Sequence, residues 1–323
     1  MLVIRNLSVV ILLSALLCCS GPHAGAGATA ESMRVVTEQN DLSIYVKDSP
    51  VLRYRFDDVQ FKPYVREFFS PNGVNVLRDS PLDHLHHHAL MFAIAVDGVN
   101  FWEENKEPGR ELHRAFTNTW GAGEAGMARA GFNAGLEWIK PDTQAVLVEE
   151  QRTVEVVRAE DIAASLLTWT SRFTLPPGKT SATFTGAHYH GLGMRFLKSM
   201  DGAGTFSNAD GADGAVFRGT ERLTASAWCA YRAEADGQPV TVAMFGHPDN
   251  VRHPVTWFTM AEPFAYMSAT LNSQKEPLTI TSPLMLRYGV ALWDGHVNDD
   301  QIKRLYERWV ALPASGKADS AAQ

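Results

Sequence analysis

The sequence predicts an all-β fold, a large β-sandwich carrying one C-terminal helix, and three observations predict it. Short runs rich in β-branched and aromatic residues recur with period-two alternation, turn-forming clusters separate them, and only one stretch spaces its apolar residues as a helix does. The runs are Leu42 to Val46, Val51 to Phe56, Leu90 to Val96, Ala145 to Val157, Ser165 to Leu175, Ser181 to Thr185, Ser226 to Tyr231, Val240 to Phe245, Thr256 to Met260 and Leu278 to Trp293. Ser-Pro-Asn-Gly at 70–73, Pro-Pro-Gly at 176–178 and Asp-Gly at 236–237 supply chain reversals between them. Near the C-terminus Asn298 is placed to cap a helix, Asp299 and Asp300 suit its positive end, and Ile302, Leu305 and Trp309 form an apolar stripe that would dock on the sheet. Gly121 to Gly135, rich in Gly and Ala, and Asp201 to Gly214 read as long loops.

Residues 1–30 read as an export signal: Arg5 supplies the charge, Leu7 to Cys19 the apolar stretch, and the small residues from Ala24 to Ala30 the cleavage sites. The expected organisation is this signal, a single β-rich domain over 31–312 and a disordered tail over 313–323. A periplasmic or secreted protein follows. Removing the signal takes Cys18 and Cys19 with it, so only Cys229 remains, no intramolecular disulfide is expected and stability must come from burial. The net charge of -7, with both signs interspersed, argues against nucleic acid as partner. No apolar run beyond the signal approaches the roughly 20 residues of an integral membrane span. A small molecule or an oligosaccharide is the partner that fits.

The segment Asp83-His84-Leu85-His86-His87-His88 packs four of the eleven histidines into five positions. Imidazoles titrate near neutral pH and ligate metals, so such a cluster points to proton transfer, metal binding or recognition of a polar ligand. On a strand His84, His86 and His88 would share one face, and on a helix His84, His87 and His88 would. His84, His86 and His88 are therefore the candidate ligands of a divalent metal, though no Cys pair, acid-rich calcium loop or His-Glu-x-x-His helix accompanies them. A second constellation, His247-Pro248-Asp249 with Arg252-His253-Pro254, sets two imidazoles, a carboxylate and a guanidinium on a proline-stiffened loop. A third, His188-Tyr189-His190 followed by Gly191 and Gly193, offers a spare proton donor in Tyr189 and either room for a ligand or a β-bulge. Trp102 beside Glu103 and Glu104, Arg110 with His113, and Glu137 beside Trp138 supply the aromatic faces and charges from which sugar sites are built.

The order of these pieces resembles a bacterial family labelled PmoA-like: Lys62-Pro63-Tyr64, Pro71-Asn72-Gly73, Arg78-Asp79, Asp83-His84 with His86-His87, Gly98 to Trp102, Gly109-Arg110 with His113-Arg114, Glu137-Trp138, Trp228 to Tyr231, and His247 to Asn250 with Arg252-His253-Pro254. The resemblance covers Leu42 to Leu292. Where those relatives read His-His-Arg-Gly this chain has His87-His88-Ala89-Leu90, so no arginine role is carried over. The label implies particulate methane oxidation, but the copper subunits of that enzyme sit in a membrane. What the resemblance implies for this chain is a secreted β-rich domain of bacteria that degrade complex carbohydrates, with a sandwich similar to the galactose mutarotase supersandwich.

The expected function is a periplasmic or secreted carbohydrate-active enzyme using imidazole acid/base chemistry on a glycoside or oxidised sugar, as lyase, hydrolase or epimerase. His84, His87, His247 and His253 are the expected proton carriers, oriented by Asp83 and Asp249. Trp102, Arg110, His113, Glu137, Tyr189 and Arg252 are the expected substrate contacts. A non-catalytic sugar-binding or cell-surface module is the alternative, and a metal-dependent oxygenase the second. If the chemistry is shared between them, the His84 to His88 segment and the His247 to His253 loop should lie around one pocket.

Overall fold

The computed structural model describes residues 32–124, 126–273 and 276–313; the expected signal and residues 314–323 of the expected tail lie outside them. The described strands form three antiparallel sheets. The ten-stranded sheet runs, in spatial order, Met33–Thr37, Asp41–Val46, Ser49–Arg55, Tyr64–Phe68, Leu90–Ala93, Gly191–Arg195, Tyr266–Thr270, Val255–Met260, Glu221–Ser226 and Ala215–Arg218. The eight-stranded sheet runs Thr205–Asn208, Trp228–Ala235, Gln238–Gly246, Leu284–Asp294, Ser165–Thr174, Val146–Ala159, Met127–Ile139 and Arg110–Glu124. A small sheet of Leu278–Ile280, Ala182–Thr185, Ala95–Val96 and Val99–Asn100 completes the set.

The two large sheets face each other as a sandwich. Tyr54 and Phe92 of one reach Phe132 at 4.7 Å and Trp138 at 6.1 Å of the other. Alternation sorts the long strands by face. In Leu284–Asp294, Leu286, Tyr288, Val290 and Leu292 point into the sandwich, whereas Ala291 and Trp293 point outward. That outward face is covered by the helix Asp299–Ala311, whose Ile302, Leu305 and Trp309 are buried on it. The helix begins as expected: the Asn298 side chain accepts from the Gln301 amide, the Gln301 side chain accepts from the Asn298 amide, and Trp309 Nε1 donates to Thr168 Oγ1 at 2.9 Å.

The expected loop at Gly121 to Gly135 is instead the meeting of two long hairpin strands, Arg110–Glu124 and Met127–Ile139. Its glycine has a packing reason: a Cβ on Gly131 would lie 2.5 Å from the Val154 carbonyl oxygen and 2.6 Å from the Trp120 ring. Part of the expected Asp201 to Gly214 loop is likewise the strand Thr205–Asn208. Leu278 to Trp293 divides into two strands of different sheets.

A charged network centred on Arg152 is enclosed by the sandwich. Arg152 donates to Glu111 Oε2 at 2.8 Å and Glu150 Oε2 at 2.7 Å, to Tyr54 Oη at 3.2 Å and to the Pro63 carbonyl at 2.9 Å. Its guanidinium also lies 4.6 Å from the Trp169 ring centre.

Two outcomes test this packing. Trp309→Ala should cost about 3–5 kcal/mol of unfolding free energy, read as a lower urea midpoint, because it empties the space between helix and sheet. Arg152→Met should cost a similar amount, about 3–5 kcal/mol, because it leaves two buried carboxyls without their cation. A loss below about 1 kcal/mol for either would show that the contact does not carry the packing assigned to it.

Candidate functional site

The histidine-rich segment is neither strand nor helix. The amide of His84 donates to the Pro81 carbonyl at 2.8 Å and that of His87 to the His84 carbonyl at 3.0 Å, so the chain makes two successive turns. The turns splay the imidazoles. His84, His86 and His87 line a cavity of about 540 Å3, whereas His88 points the other way, into a second cavity of about 300 Å3. The larger cavity lies on the outer face of the ten-stranded sheet, where Phe258, Met260 and Tyr266 form its floor. Room for the Tyr266 hydroxyl comes from Gly193, whose Cβ would stand 1.8 Å from it. That close approach, not a ligand or a bulge, accounts for this glycine.

Opposite the histidines stands the turn after Asn100. The Asn100 side-chain oxygen accepts from the amides of Trp102 and Glu103 at 2.8 and 3.1 Å, and Lys62 Nζ donates to the Trp102 carbonyl at 3.3 Å. Trp102 is thereby wedged between imidazoles, 4.9 Å from His86, 5.2 Å from His87 and stacked on His190 at 5.4 Å. Tyr189 packs on its other side at 4.6 Å. Glu103 reaches two of these groups, with Oε2 3.7 Å from His86 Nε2 and Oε1 3.5 Å from the Tyr189 hydroxyl. Arg218, Thr220, Glu221, Glu262 and Phe264 close the rest of the wall.

Burial sets the protonation states. It holds His86 below the usual imidazole value even against the pull of Glu103. It pushes His87 down to about 2 and His190 to about 3, so both rings are neutral, the first lining the cavity and the second backing Trp102. Burial, reinforced by Glu103, raises Tyr189 above the ordinary phenol value. His88 is the opposite case: burial works against its charge, but hydrogen bonds to Asp79 at 3.1 Å and Glu104 at 2.7 Å outweigh it and raise the ring.

Of the residues expected at the site, His84, His86, His87, Trp102 and Tyr189 meet at this cavity. Asp83 stands behind it, its carboxylate 3.0 Å from His84 Nδ1 and 3.6 Å from Arg195. The His247 to His253 loop does not join them. Met260 pairs with Tyr266 at the cavity end of a hairpin, and Thr256 pairs with Thr270 at the other end, where Arg252 donates to the Leu271 carbonyl at 2.9 Å. His247 packs on Trp309 at 5.6 Å, Asp249 lies 3.6 Å from it, and the Asn250 side chain clasps both backbone groups of Arg287. The expectation of one shared pocket is thus corrected: Arg252 fastens a strand end and His247 packs on the helix, and neither they nor Asp249 and His253 line the cavity. Arg110, His113 and Glu137 are also elsewhere, on the edge hairpin. Arg110 donates to the Gln60 carbonyl, His113 sits against Phe56 and Phe116, and Glu137 accepts from Arg114. The proposed metal set is divided, since His88 faces away from His84 and His86, and among the described residues no group of three His, Cys, Asp or Glu side chains is placed to hold a metal ion.

Sequence reading missed Arg218, Glu221, Glu262, Phe264 and Tyr266, which arrive from the two hairpins 215–226 and 255–270. The turn-forming Arg218-Gly219-Thr220-Glu221 and Glu262-Pro263-Phe264 were the available signals. Cys229 is free and buried, and burial pushes its thiol up to about 12. No helix of the described residues is long and apolar enough to cross a membrane.

No curated protein matches the chain. Among solved structures, a variant of a glycoside hydrolase family 97 enzyme from Pseudoalteromonas sp. strain K8 is similar at 10% identity and a TM-score of 0.38, covering 83% of this chain and 36% of that one. The same enzyme in complex with acarbose gives a TM-score of 0.35 at 10% identity and the same coverage. This chain therefore spans about a third of that enzyme's length. The Slr1438 protein from Synechocystis sp. PCC 6803 is similar at 10% identity and a TM-score of 0.34, covering 82% of this chain and 93% of that one. The resemblance to the PmoA-like family is corrected by the family match, which falls on a different family and carries no methane-oxidation label. Residues 41–307 match the Family of unknown function (DUF6807), and the chain belongs to that family.

Proposed function

We propose that the cavity beside Trp102 is the active site of a carbohydrate-active enzyme that works by proton transfer. The observation that carries this reading is Glu103, whose carboxylate bridges a ring that burial keeps neutral, His86, and a phenol that burial keeps protonated, Tyr189. A neutral imidazole is a base and a protonated phenol an acid, so the two can take up and deliver one proton at a bound sugar, as hydrolysis, elimination or epimerisation each require. Glu103 acts on both: it orients His86 and stabilises the imidazolium formed when that ring accepts a proton. The aromatic side chains of Trp102, Tyr189, Phe258 and Phe264 offer apolar surface to the sugar, and a cavity of about 540 Å3 is of the size that small ligands occupy. The apolar segment at the N-terminus supports export, which would bring the enzyme to oligosaccharides outside the cytoplasm.

His86→Ala and Tyr189→Phe should each lower turnover by roughly 10² or more, the usual contribution of an acid/base group, while sugar binding by calorimetry persists. Turnover would be sought first on a panel of oligosaccharides by chromatography of the products. Binding without turnover across the panel would favour the sugar-binding module. The pH profile of kcat/KM gives an independent check. Activity needs His86 deprotonated, so rate falls as pH drops through its value, and burial places that limb below the ordinary 6.5. Activity also needs Tyr189 protonated, and its limb lies above the ordinary 10.0. An acid limb above neutral pH would count against His86 as the base.

A further inference from the structure

The charges around the cavity narrow its ligand further, on the premise that it is a sugar site. Acidic side chains outnumber basic ones in the wall: Glu103, Glu221 and Glu262 stand against Arg218, which already donates to Glu221 Oε1 at 2.6 Å. His86 and His87, kept neutral by burial, do not redress the balance. Two cations stand behind the wall and both are answered: Arg195, 3.7 Å over the Phe264 ring, by Asp83 at 3.6 Å and Asp201 at 3.8 Å, and Lys62, behind Trp102, by Glu104 at 2.6 Å. An anionic ligand would enter against like charge.

The second observation is an acceptor left without a donor. Glu221 is 5% exposed, and its Oε2 is buried with no hydrogen-bond partner; His188 Nε2, 3.7 Å away, is itself unpartnered. A buried carboxylate oxygen in that condition costs free energy until a donor closes on it, and a cationic ligand in the cavity would add favourable charge beside it. Phe258 and Tyr189 line the same cavity, and aromatic faces beside a carboxylate attract ammonium groups. We infer that the ligand is an amino sugar, a glycan unit whose protonated amine docks beside the Glu221 carboxylate among these rings.

The test is isothermal titration of the full chain, at mildly acidic pH, with matched trimers of glucosamine, glucose and glucuronate. The glucosamine trimer should bind at least about tenfold more tightly than the glucose trimer, equivalent to about 1.4 kcal/mol, and the glucuronate trimer most weakly. The preference should shrink as salt is added. Glu221→Gln, nearly isosteric, should abolish the preference while leaving affinity for the glucose trimer within about twofold. Circular dichroism would confirm that this variant is folded; if it is not, the salt series and the three-trimer ranking of the wild-type chain decide. Equal affinity for the glucosamine and glucose trimers, tighter binding of glucuronate, or a preference that survives in folded Glu221→Gln would overturn the amino-sugar inference and leave the sugar site standing. No binding of any trimer would overturn both readings.

Discussion

The guanidinium of Arg152 is the point on which the two sheets agree. It projects from the eight-stranded sheet into the sandwich and is satisfied only by groups from several segments: Glu111 and Glu150 on its own sheet, Tyr54 on the other, and the Pro63 carbonyl on the connection before Tyr64–Phe68. Glu150 is held in turn by Trp138 Nε1 at 2.9 Å and Ser171 Oγ at 2.6 Å, so the network extends across three neighbouring strands. Two carboxyls and one guanidinium leave one negative charge in excess inside an apolar core. Burial, with Arg152 opposing and Glu150 assisting, pushes Glu111 up to about 8, which lets it hold a proton and remove the excess. Such a network contributes less to net stability than to register, because desolvation offsets most of its attraction while any misplacement leaves a charge unpaired.

Register at Pro63 reaches the candidate site within one residue. Lys62 is fully buried beside it and donates to the Trp102 carbonyl and to Glu104 at 2.6 Å, while the Phe61 carbonyl accepts from the Glu111 amide at 2.7 Å. Tyr64, one residue on, donates to Asp79 at 2.7 Å and stacks on His88 at 4.7 Å. Residues 61–64 therefore clamp both halves of a thin wall, the 86–88 turn and the 102–104 turn. Each turn changes sides at its last residue, so His86, His87, Trp102 and Glu103 look into one cavity and His88 and Glu104 into the other. The side of the wall where Lys62, Glu104, His88 and Asp79 pair fixes its position, and the side facing the larger cavity is left free for a ligand.

This wall explains what was legible in the sequence and what was not. Alternation and turn residues reveal a sandwich because each strand is read locally, and the Asn298 cap with its Ile302, Leu305 and Trp309 stripe reveals the helix for the same reason. Alternation weakens in Gln238–Gly246 and Leu284–Asp294, where the helix covers the second face and both parities are apolar. Glycine misleads in Met127–Ile139, since Gly131 marks contact with a neighbouring strand and not a turn. The histidine cluster draws attention to the right turn, yet which imidazole faces the cavity depends on two reverse turns closed by backbone hydrogen bonds, and spacing alone gives no account of them. The His247 to His253 loop carries residue types just as suggestive. Its side chains are taken up by Arg287, Leu271 and Trp309, partners from distant strands and the helix that local pattern does not reveal.

Histidines of one short segment thus acquire different chemistry from one variable, the balance between burial and charged partners. His88 has two carboxylates at hydrogen-bond distance and is raised; His87 has none, lies under Trp102 and Phe264, and is driven down to about 2. His86 falls between, half-buried with one carboxylate 3.7 Å away. Only this intermediate position leaves a ring both neutral at rest and able to accept a proton with an anion close enough to stabilise the result. A ring as buried as His87 would pay too much desolvation on charging, and one as firmly paired as His88 has its proton held by two carboxylates. The choice of His86 among its neighbours therefore follows from its placement at the edge of the aromatic wall, where burial outweighs Glu103 yet leaves that carboxylate 3.7 Å away.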